Sequence, residues 1–400
     1  MSDQDLRPLA GFRVVDLTRV LSGPFCTMLL GDLGADVIKV EAPEGDTLRT
    51  QGAGRNGLSW YYAAFNRNKR SIVIDLKTPE GREALEKLIA SSDALIENFR
   101  PGVLERLGFT KQRLDELNPS LVVCSISGFG TEGPYRDRPA FDFIAQAMSG
   151  FMSANGQPGD PPLRSGLPIS DLVGGLYGAL STTAALLGRE RSGRGERVDV
   201  SLTNSMISLL AYMASHYFAT GEVLPRTGND HPISSPYGLF RTRDGEIAIA
   251  PPDNTFFLRL ADALGLPELK SDPDFADSPL RVKHRARLTT LVEGKLMQQD
   301  SAYWVAALNA AGVPCGRVND MEGVFADPQV QHQEMTIDIE HPGFGMVRTV
   351  GFPMKFSEGA CAVRHPAPRL GEHGEELLQE AERILAERRL AGDARRSVKA

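Results

Sequence analysis

Cysteine is scarce, and none of it is paired in sequence. Cys26, Cys124, Cys315 and Cys361 are the four in 400 residues, and no two form a Cys-x-x-Cys. That spacing argues against a zinc site or a redox dithiol and fits reduced thiols in a cytoplasmic protein. Long apolar runs are lacking as well. The longest uncharged one, Met206–Ala219, contains His216 and falls short of the roughly 20 residues that a membrane span needs. Met1–Ala10 is polar and acidic, without the basic-then-apolar order of a secretory leader, so a cytoplasmic protein off the membrane is expected. Basic excess is missing: 44 Lys and Arg face 51 Asp and Glu, a net charge of -7, which gives no bulk attraction to nucleic acid or anionic lipid. The seven histidines (216, 231, 284, 332, 341, 365 and 373) show no metal-ligand spacing on a helix, so no metal is expected. A G-x-S-x-G elbow is absent, which weakens a serine hydrolase.

What is present is an alternation of strand and helix. Arg13–Leu17, Asp36–Glu41, Ser71–Leu76, Ala94–Phe99 and Leu121–Ser125 read as buried strands. Between them lie helical segments at Gly23–Leu33, after Thr78-Pro79, and at Lys111–Leu117. Thr78 suits an N-cap and Pro79 a first helical position. The alternation implies an α/β fold, a parallel sheet with helices on both faces. Asp171–Arg189 reads as a long helix whose Gly174, Gly175 and Gly178 point to close backbone packing, because glycine otherwise weakens a helix by up to about 1 kcal/mol each. A strand at Arg197–Leu202 and a helix at Asn204–Thr220 follow. Character changes near Pro225. A hairpin over Tyr237–Ala250, turned at Asp244-Gly245, and helices near Thr255–Leu264, Arg285–Gln298 and Ala302–Ala311 mark a smaller α+β domain.

The first strand-helix-strand unit resembles a dinucleotide site, but its turn, Leu21-Ser22-Gly23-Pro24, lacks G-x-G-x-x-G. Pro24 also removes an N–H that a pyrophosphate would use. Two carboxylates carry more. Asp171 sits at the start of the nearly uncharged glycine helix; it reads either as a plain N-cap or as a carboxylate kept ionised by the helix N-terminus in apolar surroundings, usable as a nucleophile. Asp142, beside Phe141, reads as a second acid of the site or as a solvated element end. Gly128 opens a glycine turn after a strand, where backbone N–H groups can line an oxyanion site. Arg67, Lys69 and Arg70, and again Arg100 and Arg106, flank strand ends; each cluster is either solvated charge or a phosphate contact.

Together these segments resemble one family. Leu17–Pro24 (LTRVLSGP), Gly31–Glu41 (GDLGADVIKVE), Asn66–Leu76 (NRNKRSIVIDL), Glu97–Phe109 (ENFRPGVLERLGF), Asp171 with its glycine helix, Ser192–Leu202 (SGRGERVDVSL), Gly312–Asp320 (GVPCGRVND) and Leu370–His373 are similar, in order, to the class III (CaiB/BaiF-like) coenzyme A transferases. The resemblance implies a large Rossmann-like domain built from both ends of the chain (1–220 and 346–400) around a small domain (226–345), and an interlocked homodimer. It implies acyl-CoA and a carboxylic acid as substrates, with no metal or prosthetic group. Asp171 is the implied nucleophile, and Val20, Ile74, Asn98, Phe99, Arg106 and Leu107 are the implied CoA contacts. A racemase branch of the same fold carries a histidine where this chain has Phe141, which weighs against racemisation. Leu21, and the lack of a glycine run near Pro251–Asn254, depart from the formate/oxalate branch. The closest likeness is to the branch that moves CoA from succinyl-CoA to dicarboxylates. Arg49, Arg226 and His231 are candidates for holding the acceptor's far carboxylate. A binding module that keeps the CoA site without chemistry is the remaining alternative.

Overall fold

The computed structural model describes residues 5–397, with side chains through residue 390; Met1–Gln4 and Val398–Ala400, the tips of the expected terminal segments, lie outside them. Two compact units emerge. One comprises residues 1–150, 165–210 and 331–400, the other residues 151–164 and 211–330.

The first unit is built on six parallel strands: β1 (Arg13–Asp16), β2 (Asp36–Glu41), β3 (Lys69–Val73), β4 (Ala94–Glu97), β5 (Val122–Ser127) and β6 (Arg197–Ser201). Their spatial order is β3-β2-β1-β4-β5-β6. This is the order of doubly wound α/β sheets, which bind ligands beyond the carboxyl ends of the strands where the order reverses, here between β1 and β4. Six helices matter for that region: α1 (Ser22–Asp32), α2 (Trp60–Asn66), α3 (Pro79–Ala90), α4 (Lys111–Leu117), α5 (Asp142–Met148) and α6 (Ile169–Ser192).

Alternate residues of each strand feed opposite faces. Val14, Val37, Ile96, Cys124 and Val200 pack with Leu30 of α1 and with Ala179 and Leu186 of α6. Val15, Ile38, Leu95 and Val123 pack with Leu85 and Leu88 of α3, Leu114 of α4, and Leu377 and Ala381 of the C-terminal helix Gly374–Ser397. Both faces are therefore covered, as parallel sheets require. Glu380 of that last helix bridges Arg13 (3.0 Å) and Arg70 (2.8 Å).

The strand expected at Ser71–Leu76 runs instead from Lys69 to Val73. Its first two residues are charged, which disguised them as loop, yet both are paired inside. Lys69 Nζ is 3.0 Å from Asp16 with neither side chain exposed, and Arg70 lies 2.7 Å from Asp36. Arg67 likewise turns inward to Asp32 at 2.7 Å. Neither reading of this cluster, solvated charge or phosphate contact, describes it: the three cations are internal.

The helix expected over Asn204–Thr220 is two, Leu202–Ser208 and Ala211–Thr220, broken where Ala211 takes a left-handed φ of 45°. The unit boundary falls at this break rather than near Pro225. At the other end it falls at 330 instead of 345, because the hairpin Thr336–His341/Gly345–Val350 sends Val347 into a cluster with Tyr62 and Ala63 of α2 and Ala367. Residues 151–164, expected in the large domain, belong to the second unit, where Gly228 N–H donates to Gly156 O at 3.0 Å.

The second unit contains the expected hairpin, Gly238–Thr242 with Gly245–Ile249, joined by Cys315–Arg317 into a three-stranded antiparallel sheet. Helices Asn254–Leu264, Arg285–Leu296 and Ser301–Ala310 close its core around Phe240, Phe257 and Trp304.

Candidate active site

Two clefts open beyond the carboxyl ends of the strands. The larger, about 550 Å³, is lined by the loop after β1 (Arg19, Val20, Leu21 and Ser22), the loop after β4 (Asn98, Phe99, Arg100), Ser127 and Gly128 at the end of β5, the Arg136–Phe141 stretch, and Asp171. The second, about 340 Å³, is lined by Ala42–Thr47 after β2, Ile74–Lys77 after β3, Leu107 and again Arg19 and Phe99. Arg19 and Phe99, shared by both, make the two clefts adjoin.

The loop after β1 is held from below. Lys39 Nζ donates to Thr18 O (3.1 Å) and Asp46 (3.0 Å), and Lys69 Nζ donates to Pro24 O (3.0 Å). Burial pushes the Lys69 ammonium down to about 8 even beside Asp16. Val20 donates its N–H to Asp46 (3.3 Å) and sits at φ 68°, an unusual conformation for a β-branched residue, sustained by these surrounding bonds. Asn98 clamps Arg19 by accepting its N–H at 3.0 Å and donating to its carbonyl at 2.8 Å. The Asn98 amide is therefore engaged with backbone, so its part in the cleft is to position the loop. Phe99 is half-buried, with its N–H donated to Glu97 at 2.8 Å.

The sequence starts the glycine helix at Asp171, as a candidate N-cap. In fact α6 begins at Ile169, after Pro168, which places Asp171 in the first turn. The glycines explain how α6 comes so close to α1 and β5. A Cβ on Gly175 would lie 2.6 Å from Ser22 O, one on Gly178 2.8 Å from Ile126, and one on Gly174 2.5 Å from Leu202. The opposite face of α6, with Leu176, Leu180 and Leu187, is exposed.

Asp142 caps this arrangement. At the start of α5 it accepts the Ser170 N–H (2.9 Å) and Oγ (2.8 Å) on one oxygen and Gln146 Nε2 (2.7 Å) on the other. Gln146 in turn accepts the Ser165 N–H at 2.8 Å. Asp142 thus ties α5 to the first turn of α6, one residue from Asp171. Asp171 itself makes no hydrogen bond among the described residues. Burial, and then the Asp142 charge, push its carboxyl up to about 7. Desolvation and the neighbouring acid oppose the helix N-terminus, whose dipole favours the ionised form by about 1 kcal/mol.

Of the other expected residues, Val20, Asn98, Phe99, Phe141 and Gly128 line the cleft with Asp171, while Ile74 and Leu107 line the second cleft. Arg106 lines neither; it is exposed, its guanidinium beside Gly102. Arg100 lines the larger cleft. The turn at Gly128 is tight, since a Cβ there would meet Ala140 Cβ at 2.4 Å. Two of its N–H groups are already engaged, Gly130 with Ser127 Oγ (3.1 Å) and Thr131 with Asp199 (2.8 Å). Arg49 is not at the site: it pairs with Glu41 at 2.6 Å and lies 4.0 Å over the Tyr62 ring. Arg226 and His231 belong to the second unit. Sequence reasoning missed Tyr61, whose phenol burial and the Asp171 and Asp142 charges push upward, and Arg136 and Arg138. Nothing in the local sequence marks Tyr61; the arginines were legible as two cations four and six residues before Asp142.

A half-buried carboxylate with no hydrogen bond, facing a cleft that continues into a second one at the sheet's switch point, is suited to covalent chemistry on one end of a long ligand. The fold is that of an α/β protein with a ligand cleft at its switch point, and similarity to known proteins specifies the class. The chain belongs to CoA-transferase family III, whose model matches residues 9–374, and is a transferase. It is 38% identical over 385 residues to a succinate–glutarate CoA-transferase of Agrobacterium fabrum, covering 94% of this chain and 96% of that one. It is 39% identical over 376 residues to an acetyl-CoA:oxalate CoA-transferase of Acetobacter aceti, covering 93% and 95%. A crystal structure of a CaiB/BaiF family protein from Brucella suis superimposes with a TM-score of 0.84 at 40% identity, over 94% of this chain and 100% of that one. Among the described residues, no helix is long and apolar enough to cross a membrane, and no group of three metal-ligating side chains gathers.

Proposed function

We propose that the protein moves CoA from a donor acyl-CoA, succinyl-CoA foremost, to a dicarboxylic acid, with Asp171 as nucleophile. The observation that carries this reading is the unbonded Asp171 carboxylate at one end of two adjoining clefts. In this reading the thioester lies beside Asp171, and the CoA chain passes Val20 and Phe99 into the second cleft, against Ile74 and Leu107. The names of the Agrobacterium and Acetobacter relatives both carry a dicarboxylate, which supports that substrate class.

The ionised Asp171 attacks the thioester carbonyl. The C–S bond breaks, CoA leaves as thiolate, and an acyl-aspartyl anhydride forms. The thiolate then attacks the aspartyl carbonyl, releasing the donor acid and leaving an aspartyl-CoA thioester. The acceptor carboxylate attacks that thioester, and the returning thiolate takes the acceptor acyl group and frees Asp171. No net proton transfer is needed, which suits a cleft that no histidine lines among the described residues. Splitting the exchange into covalent steps lowers each barrier. A carboxylate stripped of hydrogen bonds is the more reactive for it, provided the pH lets it ionise. Asp142 holds the first turn of α6 and so orients Asp171.

Racemisation would need a base beside the thioester. Among the described residues no histidine lines the cleft, and Phe141 stands where the racemase branch has one. We also propose a homodimer, supported by the exposed stripe of Leu176, Leu180 and Leu187 on α6 and by Phe141, Ile144 and Met148 nearby in sequence on and before α5. The glycine face of α6 is occupied within the chain by α1 and β5.

The test is incubation with succinyl-CoA and diacids from oxalate to adipate, followed by mass spectrometry. Expected are new acyl-CoA thioesters and free succinate, and, with succinyl-CoA plus hydroxylamine, a hydroxamate on Asp171. Transfer surviving in Asp171→Ala would overturn the assignment.

A further inference from the structure

Four arginines line the cleft that holds Asp171. Arg19 also lines the second cleft and lies 5.8 Å from the Phe99 ring. Arg100, which follows Phe99 in the chain, lines the Asp171 cleft alone, as do Arg136 and Arg138, a second pair on the loop leading into α5.

Among the described residues, neither of the second pair has a close carboxylate. Arg136 approaches only its neighbour Asp137, at 3.6 Å, and Arg138 forms no ion pair. Arg138 is nevertheless held in place. Its guanidinium lies 3.6 Å from the Tyr135 ring, which meets Phe129 edge-on at 5.7 Å. The loop carrying it is pinned at one end by Asp199 to Thr131 (2.8 and 2.9 Å) and at the other by Asp142 to Ser170. A guanidinium stacked on an aromatic face keeps its edge of N–H donors free and preoriented for a carboxylate.

We propose that Arg138, supported by Arg136, takes the far carboxylate of the dicarboxylic acid whose near carboxylate reacts at Asp171. The inference rests on the transfer chemistry proposed above and adds what selects the acid. The phosphates of CoA belong to its adenosine end, in the direction of the second cleft, whereas the thioester beside Asp171 is uncharged. An unpaired cation at the thioester end therefore matches the acid's own second charge. The dimensions agree. A compact space of 550 Å³ is about 10 Å across, and the two carboxyl carbons of a five-carbon diacid are about 5 Å apart. A monocarboxylate of equal length leaves Arg138 solvated and gains nothing from it.

The experiment compares kcat/KM for glutarate and for pentanoate, with succinyl-CoA as donor, in wild type, Arg138→Met and Arg138→Lys. In a two-stage transfer the acceptor's kcat/KM reports only the second stage, so any effect on the donor drops out. Wild type should favour glutarate. Arg138→Met should lower the glutarate-to-pentanoate ratio on the order of 10- to 100-fold, and Arg138→Lys, which keeps charge but not the fork, should fall between. An unchanged ratio overturns the inference and leaves the transferase reading standing. So does an equal fall for both acids with a raised KM for the donor, which would assign Arg138 to a CoA phosphate. If wild type transfers CoA to no acid, both readings fall. Arg138 is exposed, so the variants are expected to fold, which a thermal melt checks.

Discussion

A carboxyl that keeps its proton up to pH 7 is a poor nucleophile at pH 5. Asp171 sits at about 7, so kcat/KM for the donor, whose thioester the free carboxylate attacks, should rise with pH along a limb centred near that value. Asp142→Asn removes the like charge and should move the limb to lower pH while lowering the plateau, because Ser170 and Gln146 lose part of their anchor; a pH–rate series on both proteins checks this. The same group affects stability. Folded, Asp171 holds its proton up to about 7; unfolded, it releases it near 3.8, so its contribution falls as pH climbs between those values. Asp171→Asn should therefore be inactive yet more stable, by about 4 kcal/mol at most at pH 8 and by much less at pH 5, as read from melts at the two pH values. The sequence made Asp171 visible through the glycine helix that follows it. It did not show the state of its proton, which is set by burial in the folded chain and then by the charge of Asp142, 29 residues earlier, brought close by the bonds to Ser170. Tyr61 was hidden for the same reason, and Lys69 and Arg70 were misread because their partners, Asp16 and Asp36, lie on other strands.

Among the elements, α6 is the one whose composition is explained by its neighbours. Gly175→Ala would set a Cβ 2.6 Å from the Ser22 carbonyl, and backbone there cannot step aside without moving the loop that carries Val20 and Leu21. The expected result is a loss of about 1–3 kcal/mol in stability and a larger loss in transfer rate, measured by denaturant melts and by product formation. Leu180→Ala, one turn along on the exposed face, should leave the stability of the single chain nearly unchanged. Helix and strand positions were legible wherever period and caps coincided. Thr78 caps α3 by accepting the Gly81 N–H at 3.0 Å, and Asp36–Glu41 is β2 to the residue. Legibility failed at Ala211, where an ordinary helix former adopts a left-handed turn that only the surrounding structure imposes.

For the molecule as a whole, the exposed leucine stripe of α6 predicts association. Leu176→Glu combined with Leu180→Glu should convert a dimer to a monomer in light scattering and reduce transfer; a wild-type monomer would refute this. The doubly wound layout was readable from the spacing of strands, whereas the ownership of residues 151–164 and 331–345 was not, since it depends on contacts such as Tyr62 with Val347 that sequence distance conceals. The return of the chain to its first sheet has a consequence for biosynthesis. Val15, Ile38 and Leu95 emerge early from the ribosome, but Leu377 and Ala381, which share their core, emerge more than 270 residues after Leu95. Through most of translation that side of the sheet is covered only in part, by α3 and α4, and chaperones have a long interval in which to hold it. The nascent polypeptide cannot complete this unit until residue 381 is out, so ligand capture is a property of a nearly finished chain.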